Sequence, residues 1–403
     1  MKCGFGATNI LLPNTREFDK WAVIACDQFT SDKSYWERVQ SFVGKAPSTL
    51  NLVIPEIHLE DNTQGRIQDV VNTMNAYLES GCFQEYSNAF IYVERTLLNG
   101  IIRPGILGAV DLEQYHYDPA QKPTVGATEQ TIMSRIPPRI AVRQKAALEF
   151  SHVILFCSDF ENKILKPIAE CKGKLPQLYD FDLMESGGHI SGWLIAGDMA
   201  HQLQAALDQY QKCAEGTAFL VADGNHSLVT AKCWYEELKE KNQGENLANH
   251  PARYALVELE NIFDPSVVFE PIHRVIFDVD VERFIQDLEQ LSDPDGCEIE
   301  WIAGNQRGTV HLHVPHGELP VAVLQHFLDN WLENNQGRID YIHDADALET
   351  LASAENAVGL LLPVFDKKEL FAFGAAGKMC PRKTFSLGHG REKRYYLEGR
   401  KIT

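Results

Sequence analysis

The segment with the most reactive side chains is Asp223-Gly224-Asn225-His226-Ser227. An apolar run before it, Thr217–Ala222, predicts a buried strand, and the residues after it, 227–241, predict an amphipathic helix. Glycine permits a tight turn and close approach of a ligand to the main chain. The first helical turn offers N–H groups and the positive end of the helix dipole, which together favour a phosphate group.

This turn is our candidate active site. We assign Gly224, Asn225 and Ser227 to phosphate or nucleotide binding, and Asp223 and His226 to catalysis. Asp223 is also a candidate ligand for Mg²⁺. The alternative is an ordinary strand–helix turn in which Asp or Ser serves only as a helix cap.

Arginine side chains form a second candidate cluster, at Arg95, Arg139 and Arg143. Arg139 and Arg143 are four residues apart, so they share one face of the helix predicted over 139–150. Guanidinium groups bind two oxygens of a phosphate at once, which makes these residues candidate phosphate ligands. The alternative is a solvated helix face whose arginines pair with acidic side chains of the same protein.

Asp27 is the third candidate, because it follows a second apolar run, Trp21–Ala25. A carboxylate at the end of a buried strand is suited to act as a general base or a metal ligand. The alternative is a turn or helix-capping role, which is common for aspartate in loops.

A length of 403 residues favours two domains. Strand and helix patterns alternate along most of the chain, which predicts a mixed α/β (α+β) fold. The segment 241–249 is polar and contains glycine, so we place a boundary there. The predicted domains are residues 1–245, a phosphate-binding domain, and residues 250–403, a C-terminal α/β domain with a basic tail.

The formal net charge of −19 disfavours nucleic acid as a partner. Residues 377–403 differ, with eight Lys or Arg against two Glu, and Tyr395-Tyr396-Leu397 predicts that this tail docks on its own protein. No apolar run is long enough to span a membrane, and the nine cysteines show no C-x-x-C pair. These patterns predict a soluble cytoplasmic protein, and they leave its oligomeric state open, a homo-oligomer included.

Several segments together resemble the domain-of-unknown-function family 1015. They are Trp21–Ser31, Pro47–Leu50, Ala222–Ser227, Pro271–Arg274, Pro381–Ser386 and Glu392–Leu397. The resemblance extends over nearly the whole chain. It implies a ParB/sulfiredoxin-like core with insertions, related to that of free-serine kinases.

In that fold group a G-x-H-R-like turn holds phosphate. The matching turn here is Gly224–Ser227, with Ser227 where the group has arginine. Arg139, Arg143 or Arg274 are the candidates to supply the missing guanidinium. The resemblance also gives Asp27 the position of an acidic residue that deprotonates an acceptor hydroxyl.

From the resemblance we expect nucleotide-dependent phosphoryl transfer to or from a small hydroxy acid, with serine or phosphoserine as the first candidates. The cofactors implied are ATP or ADP and Mg²⁺, and the partners are a small-molecule substrate and a nucleotide. Two alternatives stay open: a non-catalytic, ParB-like regulatory module that binds nucleotide, and a phosphoester hydrolase.

Overall fold

Short apolar runs of this sequence form strands that pair mainly over long chain distances. The computed structural model describes residues 3–403 except 27, 30–31, 59–62 and 215. The helices are α1 Phe18–Trp21, α2 Lys33–Val43, α3 Thr63–Glu79, α4 Ile136–Arg143, α5 Leu165–Cys171, α6 Gly197–Cys213, α7 Asn225–Lys241, α8 Val281–Glu289, α9 Pro320–Asn334, α10 Ala345–Ala352 and α11 Leu370–Ala375.

The strands are β1 Phe5–Gly6, β2 Thr8–Pro13, β3 Val23–Ile24, β4 Phe83–Thr96, β5 Ile102–Asp111, β6 Tyr115–His116, β7 Val125–Ala127, β8 Leu148–Phe150, β9 Ile154–Cys157, β10 Gln177–Asp182, β11 His189–Ile195, β12 Phe219–Asp223, β13 Tyr254–Asn261, β14 Phe269–Pro271, β15 His273–Phe277, β16 Ser292–Ala303, β17 Gln306–Leu312, β18 Arg338–Ile342, β19 Ala357–Leu361, β20 Phe385–Leu387, β21 Tyr395–Tyr396 and β22 Gly399–Lys401. The mixed α/β fold predicted from the sequence is confirmed.

The chain divides into two compact units. The first contains residues 1–267, 374–378 and 390–403, and the second contains residues 268–373 and 379–389. The polar segment 241–249 lies inside the first unit, at the end of α7. Among the described residues, no helix is both long enough and apolar enough to cross a membrane.

The first unit is built on a large mixed sheet with the order β6-β7-β12-β9-β13-β5-β4-β2-β22-β8. β12 runs parallel to β7 and antiparallel to β9. Asp223, the last residue of β12, therefore lies opposite Ile154, the first residue of β9. This register brings the turn after β12 next to His152 and Val153, which precede β9 in the chain.

The second unit contains an antiparallel sheet with the order β17-β16-β19-β15-β18, and β14 pairs with β20. Helices α8 and α10 pack against this sheet. Arg274 on β15 is fully buried in this unit.

Residues 390–403 of the basic tail pack in the first unit, so the docking predicted from the sequence is confirmed for this part of the tail. Tyr395, Tyr396 and Leu397 are all buried, β21 pairs with β3, and β22 lies between β2 and β8. The Trp21 indole N–H donates to the Leu397 carbonyl (2.8 Å), and the Thr49 hydroxyl donates to the Trp21 carbonyl (2.8 Å). Three segments that are far apart in the sequence thus meet in one core.

The helix predicted over 139–150 was partly wrong. Helix α4 ends at Arg143, and residues 148–150 form β8. The main chain of Leu148 and Phe150 pairs with Lys401 and Gly399 of β22. Pairing with a strand from the far end of the chain therefore overrides the local helical pattern. A short sequence window contains no information about such a distant partner.

Arg95 holds the tail through main-chain contacts. Its Nη1 donates to the carbonyls of Glu392 (3.0 Å) and Lys393 (2.5 Å), and its Nη2 donates to Gly187 (2.9 Å) and Arg391 (2.9 Å). The side chain is buried, and the neighbouring carbonyls accept hydrogen bonds from both of its terminal nitrogens.

We predict that Arg95→Lys lowers the free energy of unfolding by about 3 kcal/mol, because an ammonium group cannot replace the planar fork and leaves buried carbonyls without donors. Chymotrypsin should also cleave faster after Tyr395 or Tyr396. Urea unfolding and timed proteolysis measure the two effects. The exposed Arg135→Lys is the control, and equal behaviour of the two variants would contradict this role of Arg95.

The glycine at position 224 is required for two reasons. Its φ angle is +83°, in the left-handed region, and a Cβ atom there would lie 2.9 Å from Val153 Cγ2 and 3.0 Å from Val153 Cα. At Gly100 the φ angle is similar, +81°, but a Cβ atom added there would have no other atom within 4 Å.

These two glycines make a matched pair for a stability test. We expect Gly100→Ala to cost about 1 to 2 kcal/mol, from the backbone conformation alone. Gly224→Ala should cost about 2 to 4 kcal/mol, since Val153 must also move. Urea unfolding of both variants checks this, and equal losses would show that the close approach to Val153 has no energetic effect.

Candidate functional site

The turn between β12 and α7 is fixed by its own side chains. Asp223 Oδ1 accepts the main-chain N–H of Gly224 (2.8 Å), and Gly224 is the helix N-cap without a side chain. Helix α7 is 17 residues long, so its dipole is fully developed at this end. The first turn of α7 thus points its positive end at the residues around Asp223.

Lys393 forms an ion pair with Asp223. The Lys393 ammonium lies 2.6 Å from Asp223 Oδ2, and the side chains are 14% and 22% exposed. Burial alone would raise the pKa of Asp223, but the charge and hydrogen bond of Lys393, the nearby His152 and the Gly224 N–H outweigh it, so the pKa lies below its usual value. Asp223 is therefore ionised at neutral pH.

Asn225 and His226 hold the loop that precedes α4. The buried Asn225 places its Nδ2 3.4 Å from Thr128 Oγ1, and that hydroxyl donates to the Val221 carbonyl (2.6 Å). His226 Nε2 accepts the main-chain N–H of Ile132 (3.3 Å). Both side chains thereby have a structural contact in addition to any role in binding.

Ser227 points toward a buried histidine. Its Oγ lies 3.5 Å from Nε2 of His152, and the His152 ring packs edge-on against Tyr396 at 5.2 Å between centroids. The Tyr396 hydroxyl in turn donates to Cys26 Sγ (3.0 Å). A series of side-chain contacts therefore connects α7 with Tyr396 of the tail and with Cys26 of the segment Trp21–Ser31.

A cavity of about 200 Å³ opens beside α7. Ser227 and Thr230 of α7 line it, and so do Arg139 and Arg143 of α4 and Tyr396 of the tail. Ser227, the last residue of the candidate turn, thus shares one cavity with the arginines of α4, whereas Asp223–His226 are not among its lining residues.

Both arginines of the cavity have acidic partners. Arg139 pairs with Glu56, and Arg143 Nη2 lies 2.5 Å from Glu149 Oε2. The guanidinium of Arg143 also packs over the Trp234 ring, 5.6 Å from its centroid. A ligand anion would therefore meet arginines whose orientation is already fixed, at the cost of competing with their carboxylate partners.

The residues around Asp223 do not fit the Mg²⁺ site expected there. Both carboxylate oxygens have donors, and the Lys393 ammonium occupies the position where a cation would bind. Within the described part of the chain, no group of three or more His, Cys, Asp or Glu side chains could hold a metal ion. We derive no step from a protein-bound metal.

The other candidates lie elsewhere. Arg95 is buried, and its guanidinium donates to the tail carbonyls described above. Arg274 is buried in the second unit, where its guanidinium donates to Ile272 O and packs on Tyr341. Neither arginine lines the cavity, and the terminal nitrogens of both donate to main-chain carbonyls, so we leave both out of the proposed site. Asp27 lies outside the described residues, and its role as a base stays a prediction.

Comparison with known families agrees with the resemblance noted in the sequence. Residues 9–364 match the model of a family described as a protein of unknown function (DUF1015). The chain belongs to this family. No curated protein matches this DUF1015 member.

Several solved structures match this chain at low similarity. A free serine kinase in complex with AMP is 11% identical, with 73% of this chain and 90% of that chain covered and a TM-score of 0.38. A conserved hypothetical protein from Pyrococcus furiosus is 12% identical, covering 73% and 94%, with a TM-score of 0.35. SbnI from Staphylococcus aureus, truncated at its C-terminus, is 12% identical, covering 70% and 83%, with a TM-score of 0.37. We transfer no residue role from them.

Sequence reasoning missed three residues of this candidate site: Lys393, His152 and Glu149. Lys393 lies in the motif Glu392–Leu397, which the resemblance had marked without a role. The sequence around His152 and Glu149 contains no motif that marks them as site residues. The pairing of β9 with β12 places His152 beside the turn, and the pairing of β8 with β22 places Glu149 at the cavity.

We predict that Lys393→Met lowers the free energy of unfolding by about 2 kcal/mol at pH 7, because a buried carboxylate loses a charged donor. The pKa of Asp223 is lowered in the folded state, so this stabilisation is complete above the unfolded pKa of about 4. It should fall as the pH drops below that value. Urea unfolding between pH 3 and pH 8 measures both effects.

Lys401→Met is the control for this variant, since Lys401 pairs with Glu85 on the surface and should contribute under about 1 kcal/mol. A double-mutant cycle with Asp223→Asn isolates the pair. If Asp223→Asn costs the same with and without Lys393, the two side chains do not stabilise each other.

Proposed function

We propose that this protein transfers a phosphoryl group between a nucleotide and a small hydroxy acid at the cavity beside α7. The observation that carries the proposal is the shared lining of this cavity, where Ser227 at the N-terminal turn of α7 faces Arg139 and Arg143. Helix N-termini and guanidinium groups both stabilise phosphoryl oxygens.

In this proposal each residue of the site has a separate role. The N-terminus of α7, with Gly224 and Ser227, holds the phosphate, and His226 donates to it. Lys393 and the arginines neutralise the charge that spreads over the transferred oxygens. Asp223 orients Lys393, and Asp27 accepts the proton of the attacking hydroxyl. Ion pairs with carboxylates orient these cationic side chains before a substrate binds.

Two other functions use the same residues. A regulatory module would bind nucleotide without transferring its phosphate, and Asp27→Asn would leave its function intact. A phosphoester hydrolase would release inorganic phosphate from a phosphorylated acid without any nucleotide. The ion pair between Asp223 and Lys393 disfavours any version of these functions in which Asp223 itself holds a metal ion.

The first test is a thermal-shift series with ATP, ADP, AMP, CTP, serine and phosphoserine, each with and without Mg²⁺. AMP and ADP are included because free serine kinase structures with these nucleotides match this chain at low similarity. A ligand at about 100 times its dissociation constant should stabilise the protein by roughly 2.7 kcal/mol. We expect stabilisation by a nucleotide and, in ³¹P NMR, transfer of its terminal phosphate to the acid.

Variants assign the response to the site. Ser227→Ala and Arg139→Gln should weaken nucleotide binding about tenfold or more, because each removes a donor to the phosphate. Ser41→Ala, on the exposed face of α2, is the matched control. No shift with any nucleotide would end the phosphoryl-transfer proposal, and binding without transfer would favour the regulatory module.

A further inference from the structure

The cavity beside α7 is mostly apolar away from its charged rim. Its walls include Leu52, Ile54, Met74, Val142, Leu148 and Ile402. Leu52, Met74, Leu148 and Ile402 are themselves at most 3% exposed and belong to the hydrophobic core of the first unit. The cavity is therefore an extension of a packed core, with a shape that changes little when a ligand enters.

Its size sets the size of the ligand. An apolar cavity of about 150 Å³ is enough to hold benzene. The cavity here measures about 200 Å³, so it can take a body of about six carbon atoms and a small polar group. Serine would leave most of this volume to water or empty space, and its side-chain hydroxyl would face apolar walls.

The charged groups of the cavity rim, Arg139, Arg143, Glu56 and Glu149, sum to one positive charge only together with Arg400, which pairs with Glu149 from outside the lining. Glu149 is a single carboxylate shared by two guanidiniums, with Oε1 3.1 Å from Arg400 Nη1 and Oε2 2.5 Å from Arg143 Nη2. The main-chain N–H of Leu256 also donates to Glu149 (2.8 Å). Arg139 and Glu56 balance each other. One positive charge is therefore left over at the arginine pair.

Arg143 is the member of this pair that lines the cavity. Its side chain is only 13% exposed, and its buried Nε has no hydrogen-bond partner among the residues that the structure describes. Burying a charge without full compensation is unfavourable, so an anion that reaches this guanidinium is stabilised there. A carboxylate matches a guanidinium in charge and in planar geometry.

We propose that the cavity binds the acceptor as a 2-hydroxy acid with an apolar branched or aromatic side chain. The carboxylate binds Arg143, the apolar body fills the space between Val142 and Leu148, and the hydroxyl lies on the side of Ser227. This inference rests on the proposed function only in naming the ligand as an acceptor. It replaces serine, the first candidate, by a less polar acid.

The test is isothermal titration calorimetry of the 403-residue protein without nucleotide or Mg²⁺. The ligands are serine, lactate, 2-hydroxybutanoate, 2-hydroxy-3-methylbutanoate, 2-hydroxy-4-methylpentanoate and 3-phenyllactate. We expect the affinity to rise about fourfold for each buried methylene group. Serine and lactate should bind most weakly, and the amides of the same acids should bind more weakly than the acids.

Two variants locate the ligand. Arg143→Met should weaken binding of the acids about 10- to 100-fold, through loss of a charged donor, with little effect on their amides. Val142→Trp fills the cavity and should abolish binding. Gln144→Trp is the control, because Gln144 follows α4 directly and its side chain is exposed to solvent. This variant should bind the acids like the wild type. Urea unfolding checks that each variant is folded.

Affinity that does not depend on side-chain length, or that survives Val142→Trp, would overturn the inference, and so would the absence of binding by every acid. If the apolar acids bind and no nucleotide does, the inference stands and the phosphoryl-transfer proposal fails. If nucleotides bind and no acid does, the proposed function keeps its nucleotide and this inference is wrong.

Discussion

The placement of the C-terminal tail on the large sheet depends on buried arginines. Arg394 lies 2.8 Å from both Glu258 Oε2 on β13 and Glu398 Oε2 in the tail itself. Arg95 binds the tail main chain, and burial together with the charge of Arg103 lowers its pKa to about 10, so it stays charged at neutral pH. Buried charges are costly unless paired, so these groups strongly favour the one arrangement in which all of them have partners.

The candidate site depends on that arrangement. With the tail bound along the sheet, Lys393 reaches Asp223 and Tyr396 packs on His152. The same segment supplies Ile402 to the cavity wall and, through β22, holds β8 in an extended conformation. The motif at the end of the chain and the motif at position 223 are thus in direct contact, through the Lys393–Asp223 ion pair.

The four arginines that the sequence suggested as phosphate-binding residues have two different environments in the fold. Arg139 and Arg143 are on the helix face that lines the cavity, where both can meet an anion. Arg95 and Arg274 are just as cationic, yet their donors bind carbonyl groups in two separate units. Guanidinium groups satisfy buried carbonyls as well as they bind phosphate, so residue type alone cannot separate the two uses.

The sequence by itself determined the local features: the β12 turn around Gly224, the amphipathic helix after it, the mixed α/β class and the apolar character of Tyr395–Leu397. These follow from short-range causes, namely apolar periodicity and glycine conformation. Only the tertiary structure decided that Lys393 pairs with Asp223, that residues 148–150 form a strand, and that α4 and α7 enclose an apolar cavity. Each depends on pairing between segments far apart in the chain, and the strength of such contacts cannot be read from either segment alone.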